Sequence, residues 1–197
     1  MPILHYIRHG ETDWNAAGRF QGRQDIHLNA KGRSQATAAG AILLDLMARD
    51  RHVPADLAYV ASPLTRATVT MDLVRTALGL PAEGYALDDR LREIGYGDWE
   101  GLTLSQMQAR DPVIFGERNV DKWTVAPPSG ETYAELAARV AAWYSGLKTD
   151  TVAVAHGGTM RALMVVTGVA TWLQAADTPV EQGVVYVFAN GAMTKYS

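Results

Sequence analysis

Three short apolar runs, Ile3 to Ile7, Leu57 to Ala61 and Thr151 to Ala155, each stop abruptly on a polar cluster. Nothing else in the chain constrains its fold as strongly. The runs are rich in β-branched and aromatic residues and do not alternate with polar ones, which predicts strands buried on both faces of a sheet. Helical patterns follow each of them, with Met71, Val74 and Leu78 after the second and Leu163, Val166 and Val169 after the third. Two more helices are expected. Ser34 to Ala48 carries Ala36, Ala39, Leu43 and Met47 on one stripe. Glu131 to Leu147 carries Leu136, Val140, Trp143 and Leu147, with a capping signal at Ser129-Gly130-Glu131-Thr132. Strands alternating with helices imply βαβ units and a mainly parallel sheet covered on both faces. Val184 to Phe188 and Ala192 to Tyr196, joined at Asn190-Gly191, predict a closing β-hairpin. Pro112, Gly116, Pro127 and Pro128 make Asp111 to Ser129 read as a surface excursion, a candidate lid.

With 197 residues, 48% apolar and 20% charged, the chain has the profile of a globular protein, and one domain over 1–197 is the simplest expectation. The polar clusters are Arg8-His9-Gly10, Ser62-Pro63-Leu64-Thr65-Arg66 and His156-Gly157-Gly158. Ligands of open α/β sheets bind outside the carboxyl ends of the strands, so these clusters should meet in one crevice. Arginine forks and helix N-termini both favour a phosphate-like anion there. Neutral imidazole attacks phosphorus in line, and His9, at a strand end before Gly10, is placed for that task. His156 would hold an equatorial oxygen and, when protonated, offset developing charge. Glu93, in Leu91-Arg92-Glu93-Ile94-Gly95, is the candidate acid for the leaving alkoxide, since a neighbouring phosphate favours a protonated carboxyl group. Glu11 is the competing acid.

These residues resemble the signature of the histidine phosphatase superfamily, which includes the cofactor-dependent phosphoglycerate mutases. The resemblance runs through Arg8-His9-Gly10-Glu11-Thr12-Asp13-Trp14-Asn15, Phe20-Gln21-Gly22, Leu28-Asn29-Ala30-Lys31-Gly32 and Ser62-Pro63-Leu64-Thr65-Arg66-Ala67. It continues through Leu91-Arg92-Glu93 with Trp99-Glu100-Gly101 and ends at Ala155-His156-Gly157-Gly158. Six ordered blocks across nearly the whole chain are far more specific than one Arg-His-Gly tripeptide. The resemblance implies a three-layer α/β/α fold and no metal or other cofactor. It implies a phosphorylated His9, a pocket completed by Arg8, Arg66 and His156, and Glu93 as proton donor. Asn15, Gln21, Gly22 and the backbone at Gly157 would be further phosphate contacts. In the family's mutases the segment after the acid is longer and brings basic residues to the substrate carboxylate. Here Ile94 to Ser129 is short and opens with Gly97-Asp98-Trp99-Glu100-Gly101, similar to the phosphatase branch, although Arg110, Arg118 and Lys122 remain available. Hydrolysis of small phosphomonoesters is therefore expected. Phosphoglycerate mutase and a catalytically silent phosphate-binding module are the alternatives.

Other motifs read as structural. His5 lies four residues from His9, which on a strand is about 13 Å, too far to share an ion; it is expected in the core. His27 and His52 fall in polar loops. Thr12 reads equally as a pocket hydroxyl or a helix cap, and Asn15 and Gln21 could also be caps. Trp14 and Trp99 are expected near the substrate, Trp143 and Trp172 in packing. Gly95-Tyr96-Gly97 with Gly101 misses the dinucleotide spacing by one residue, and no Walker-type Gly-Lys-Ser/Thr occurs. The absence of cysteine excludes disulfides, thiolate nucleophiles and thiolate metal sites. A net charge of −3 gives no basis for nucleic-acid binding along a surface. Without a signal-peptide pattern or a long apolar run, a cytoplasmic, membrane-independent monomer or homodimer is expected.

Overall fold

The computed structural model describes residues 2–197, the side chain of residue 177 excepted. Six strands are described: β1 (Leu4–Arg8), β2 (Ala58–Ala61), β3 (Ala86–Leu87), β4 (Thr151–Ala155), β5 (Val185–Ala189) and β6 (Ala192–Tyr196). Between them lie the helices α1 (Asp13–Ala16), α2 (Ala30–Asp50), α3 (Thr65–Ala77), α4 (Leu104–Arg110), α5 (Pro112–Val120), α6 (Tyr133–Tyr144), α7 (Gly157–Val166) and α8 (Trp172–Asp177). The sheet order is β3-β2-β4-β1-β5-β6, with β1 to β4 mutually parallel, β5 antiparallel to β1 and β6 antiparallel to β5.

Side chains on successive strand residues point to opposite faces, which builds the three layers. Leu4, Tyr6, Ala153 and Ala155 face one core with Leu136, Val140 and Leu163 of α6 and α7. Ile7, Val152 and Val154 face the other with Ala39, Leu43, Met71 and Val74 of α2 and α3. The expected mainly parallel sheet with helices on both faces is what the chain forms. The hairpin turn also forms at Asn190-Gly191, both residues having positive φ as a two-residue type I′ loop requires.

Several boundaries differ for local reasons. β1 extends to Arg8 because that residue still pairs with Ala155. α2 begins at Ala30, four residues before the expected Ser34, since the Asn29 side chain caps it by accepting from the Gly32 amide. α6 is capped by Thr132, whose hydroxyl accepts from Glu135 N, and not from Ser129, which sits in a left-handed turn. α7 ends at Val166, so Val169 packs against the core from beyond the helix. The proline-containing stretch from Asp111 to Ser129 does run along the surface, but its first half is helical and only the part after Val120 is irregular. Pro112 opens α5 at a position whose N–H would have no helical partner anyway, and α4 precedes it with a capping box between Thr103 and Gln106.

Candidate active site

The strand register brings the polar clusters together. Arg8 is opposite Ala155 and Ala61 opposite Val154, so His9, His156 and Ser62 leave the sheet side by side. The His9 amide donates to the Ala155 carbonyl at 2.9 Å, and the Ser62 amide donates to Val154 at 2.9 Å. Gly10 then lets the chain pass against α2: a Cβ there would stand 2.1 Å from the Gly32 carbonyl oxygen.

Beyond the strand ends opens a cavity of 230 Å³ whose walls include Arg8, His9, Arg66 and Glu93. Asn15, Gln21, Gly22 and Gly157 also line it. His9 is 2% exposed. Its Nδ1 lies 2.7 Å from the Gly10 carbonyl, which only accepts, so Nδ1 carries the proton. That fixes the tautomer and leaves the Nε2 lone pair as the ring's open valence. Burial, then the Arg66 and Arg8 charges, hold the His9 pKa well below the usual histidine range. The ring is therefore neutral.

Arg66 is fully buried. Its Nη1 donates to Gln24 O at 2.7 Å and its Nη2 to Gly22 O at 2.8 Å, while Nε has no partner among the described residues. Gly22 has positive φ, and a Cβ on it would meet Glu100 Oε1 at 2.0 Å, so only glycine presents this carbonyl here. Arg8 donates from Nη1 to Val180 O at 2.6 Å, and its Nε is also unpartnered among the described residues. Both guanidinium groups thus reach the cavity with donors to spare. Glu93 is held at the start of α7, accepting from the Gly158 amide at 3.1 Å and from Ile94 N at 2.9 Å.

His156 differs from its companions. Its ring lies edge-on to His9, with centroids 5.1 Å apart, but is fully buried and does not line the cavity. Its Nε2 is 2.7 Å from Ser62 Oγ, and its Nδ1 has no partner among the described residues. Tyr6 fixes its backbone by donating to the His156 carbonyl at 2.7 Å and accepting from its amide at 3.0 Å. Burial, followed by Arg66, His9 and Arg8, holds this pKa well below the usual range as well. Without an anion, His156 is neutral.

The remaining sequence candidates sort clearly. Glu11 is bound by Lys31 at 2.8 Å and Asn29 at 3.1 Å and does not line the cavity. Thr12 caps α1 in a capping box with Asn15. The Asn15 Oδ1 accepts from that cap and from Gln182, and its amide nitrogen has no partner among the described residues. Gln21 is buried with Oε1 unpartnered. Trp99 lies in the core beside a neighbouring cavity, its Nε1 donating to Asp111 at 2.7 Å, and Trp14 packs against Gly101 instead of lining the site. Trp143 is buried and Trp172 stacks near Trp123, as packing residues should. Arg110 pairs with Asp98 and Asp111. His5 is buried on β1, His27 is exposed, and His52 is only partly so, 3.9 Å from Asp150. No three His, Cys, Asp or Glu side chains among the described residues are arranged to hold a metal ion.

Three residues escaped sequence reasoning. Arg161 lines the cavity one helical turn beyond Gly157, a spacing that the start of α7 at residue 157 would have revealed. Arg19 also lines it, giving four guanidinium groups against the single carboxylate of Glu93. Arg139 fastens the Glu93 loop, donating to the carbonyls of Arg90 and Arg92 at 2.7 Å and of Glu93 at 3.1 Å. No local pattern announces that role.

The buried histidines have a consequence for stability. His5, His9 and His156 all have depressed pKa values, first through burial. Unfolded, they bind protons below about pH 6.5; folded, they bind fewer, so stability falls as pH drops through that value. Each contributes up to about 1.4 kcal/mol per pH unit. The urea midpoint of the free protein is expected to fall between about pH 7.5 and pH 5.5. His5→Leu should flatten that dependence without touching the cavity. A midpoint constant over the range would contradict neutral burial.

The profile of the histidine phosphatase superfamily (branch 1) matches residues 4–188. The 2,3-bisphosphoglycerate-dependent phosphoglycerate mutase of Azorhizobium caulinodans is 35% identical over 175 residues, covering 83% of this chain and 80% of that one. A mycobacterial glucosyl-3-phosphoglycerate phosphatase superposes with a TM-score of 0.78 at 31% identity, covering 94% of this chain and 89% of the other. An Escherichia coli K-12 protein described as a putative alpha-ribazole-5'-P phosphatase superposes at 0.79 with 22% identity, covering 99% and 94% of the two chains, a likeness of fold alone. With its strand-end histidines and arginines gathered on one phosphoglycerate mutase-like sheet, the chain belongs to the histidine phosphatase superfamily.

Proposed function

We propose that the protein hydrolyses phosphomonoesters through a phosphohistidine on His9. The observation that carries this reading is the fixed tautomer of His9, a neutral ring in a cavity walled by Arg8 and Arg66 with Glu93 beside them. Arg8 and Arg66 hold the phosphoryl oxygens, supported by Asn15, Gln21, Gly22 and the backbone at Gly157. Nε2 attacks phosphorus in line, the ester P–O bond breaks, and the leaving alkoxide takes the proton of the Glu93 carboxyl group. Glu93 then removes a proton from water, which attacks the phosphohistidine. Inorganic phosphate leaves, and both residues return to their starting states. An anion in the cavity offsets the arginine charges felt by His156 and favours its protonation, so His156, packed edge-on behind His9, supports the developing charge from outside the cavity wall.

Water as the final acceptor is supported by the short segment between Ile94 and Ser129 and by the exposed Gly18 in the cavity wall, which leaves the site open to solvent. The identity to the mutases supports a second reading, in which the phosphoryl group returns to a phosphoglycerate. Assays with p-nitrophenyl phosphate and 3-phosphoglycerate, each with and without 2,3-bisphosphoglycerate, separate the two. Phosphate release independent of bisphosphoglycerate is expected. Bisphosphoglycerate-dependent formation of 2-phosphoglycerate with negligible phosphate release would favour the mutase. Vanadate binding without turnover on a broad monoester panel would instead point to a silent binding module.

A further inference from the structure

Glu93 stands on residues 92–96, which belong to no helix or strand, so no ladder of backbone hydrogen bonds aims its carboxyl group. Leu91 and Ile94, both fully buried, anchor the stretch in the core. One ion pair holds its backbone. Arg139 Nη1 donates to the carbonyls of Arg90 and Arg92, each at 2.7 Å, and Nη2 donates to that of Glu93 at 3.1 Å. The same guanidinium meets Glu131 with both edges of its fork, Nε to Oε1 at 2.7 Å and Nη2 to Oε2 at 2.9 Å. Glu131 Oε2 in turn accepts from the Gly95 amide at 3.1 Å, and the Glu131 amide donates to Gly95 O at 2.8 Å. The pair thus holds the chain on both sides of the acid.

Only a planar fork with five donors can meet three carbonyls and a carboxylate at once. Thr159 adds no more than long contacts, 3.5 Å to Leu91 O and 3.4 Å to Arg92 O. Toward the phosphate-holding turn the pair is weakly linked. Arg23 Nη2 lies 3.5 Å from Glu131 Oε2 on a half-exposed side chain, a geometry that contributes little. That turn is tied instead by Glu100, whose Oε1 accepts from the Arg23 amide at 2.8 Å and from the Tyr96 amide at 3.2 Å. The groups that hold or attack phosphorus are fixed elsewhere again. His9, Arg8 and Arg66 bond to Gly10, Val180, Gly22 and Gln24, and not to Arg139.

We infer, resting on the phosphatase reading, that the Arg139–Glu131 pair positions the general acid and is needed for departure of an alkoxide but not for attack by His9. Proton transfer requires the Glu93 carboxyl group within about 2.6–3.2 Å of the leaving oxygen, and a displacement of about 1 Å costs on the order of 10²-fold. The Nε2–P bond forms and the ester P–O bond breaks whether or not the pair is present. What the pair decides is whether the departing oxygen takes the Glu93 proton as it leaves. An alkoxide needs that proton. A p-nitrophenolate leaves without it.

The test measures kcat/KM on benzyl phosphate and on p-nitrophenyl phosphate for the wild type, Arg139→Met, Glu93→Gln and the double variant. This constant covers the steps up to release of the alcohol, so hydrolysis of the phosphohistidine does not enter it. Arg139→Met should lose about 10²-fold on benzyl phosphate and less than about threefold on p-nitrophenyl phosphate. Added to Glu93→Gln, it should cost less than about twofold more on benzyl phosphate, because its effect runs through Glu93. Glu131→Gln keeps the side-chain volume and removes the charge that orients the fork. It should show the same selectivity at about tenfold, and it decides the matter where Arg139→Met does not fold. Equal losses on the two substrates, a full further loss in the Glu93→Gln background, or failure of both single variants to fold would make the pair a fold determinant. Any of these would overturn the inference while leaving the phosphatase reading intact. No turnover of either substrate by the wild type, with no phosphohistidine formed, would remove both.

Discussion

His9→Ala is expected to reduce phosphomonoester turnover by on the order of 10⁴-fold or more, because it removes the ring nitrogen proposed to take the phosphoryl group. The loss should be in kcat. Phosphate binding should survive, since Arg8 and Arg66 do not depend on the His9 ring for their positions: they are held by the carbonyls of Val180, Gly22 and Gln24. Folding should survive too. The ring makes one hydrogen bond, to the carbonyl of its own neighbour Gly10, and its removal relieves the cost of keeping an imidazole dry beside two arginines. Vanadate binding near the wild-type level beside absent turnover is the expected pair of results. Turnover within tenfold of wild type would mean that phosphorus is attacked by something other than His9.

Arg66→Met should lower turnover by about 10³-fold while leaving the fold nearly as stable as before, and two opposing terms decide this. Methionine cannot donate to the carbonyls of Gly22 and Gln24, a loss of about 1–3 kcal/mol for each acceptor left unmade in the interior. Against that, burial pushes the Arg66 pKa down to about 10, so keeping the guanidinium charged at neutral pH costs the native state about 3 kcal/mol, a cost that methionine does not carry. The terms nearly cancel in stability and do not cancel in function. Arg66→Lys should not restore activity, because a single ammonium cannot hold two carbonyls and a phosphate oxygen in one plane. Thermal unfolding and kcat/KM measured on the same preparations check the pair. Parallel collapse of both would make Arg66 a structural residue.

Much of this site could be read from the chain before any coordinates, because strand ends are where sequence and active-site geometry coincide. β1, β2 and β4 are buried on both faces, so their apolar runs are unmistakable, and the residue after each run must lie at the sheet's carboxyl edge. That logic carries His9, Ser62 and His156 to one place without knowledge of the loops. It fails where position depends on contacts distant in sequence. Arg139 reaches the Glu93 loop across 46 residues, and no spacing rule anticipates such a contact. The placement of His156 behind His9, and not in the cavity wall, depends on Ser62 Oγ and on the Tyr6 hydroxyl that pins its backbone. The segment from Asp111 was obscured by prolines that break helices in most positions. At the first turn of α5 Pro112 does the opposite, and α4 and α5 form there to wall the cavity beside Trp99.

Every step proposed here depends on a nitrogen–phosphorus bond at one ring atom. Mixing the protein with a phosphomonoester, quenching in alkali during turnover and mapping the modified peptide by mass spectrometry tests it most directly. One phosphoryl group on His9, absent from His9→Ala, is the predicted result; a phosphoryl group on any other residue, or turnover that leaves no modified peptide, would contradict it.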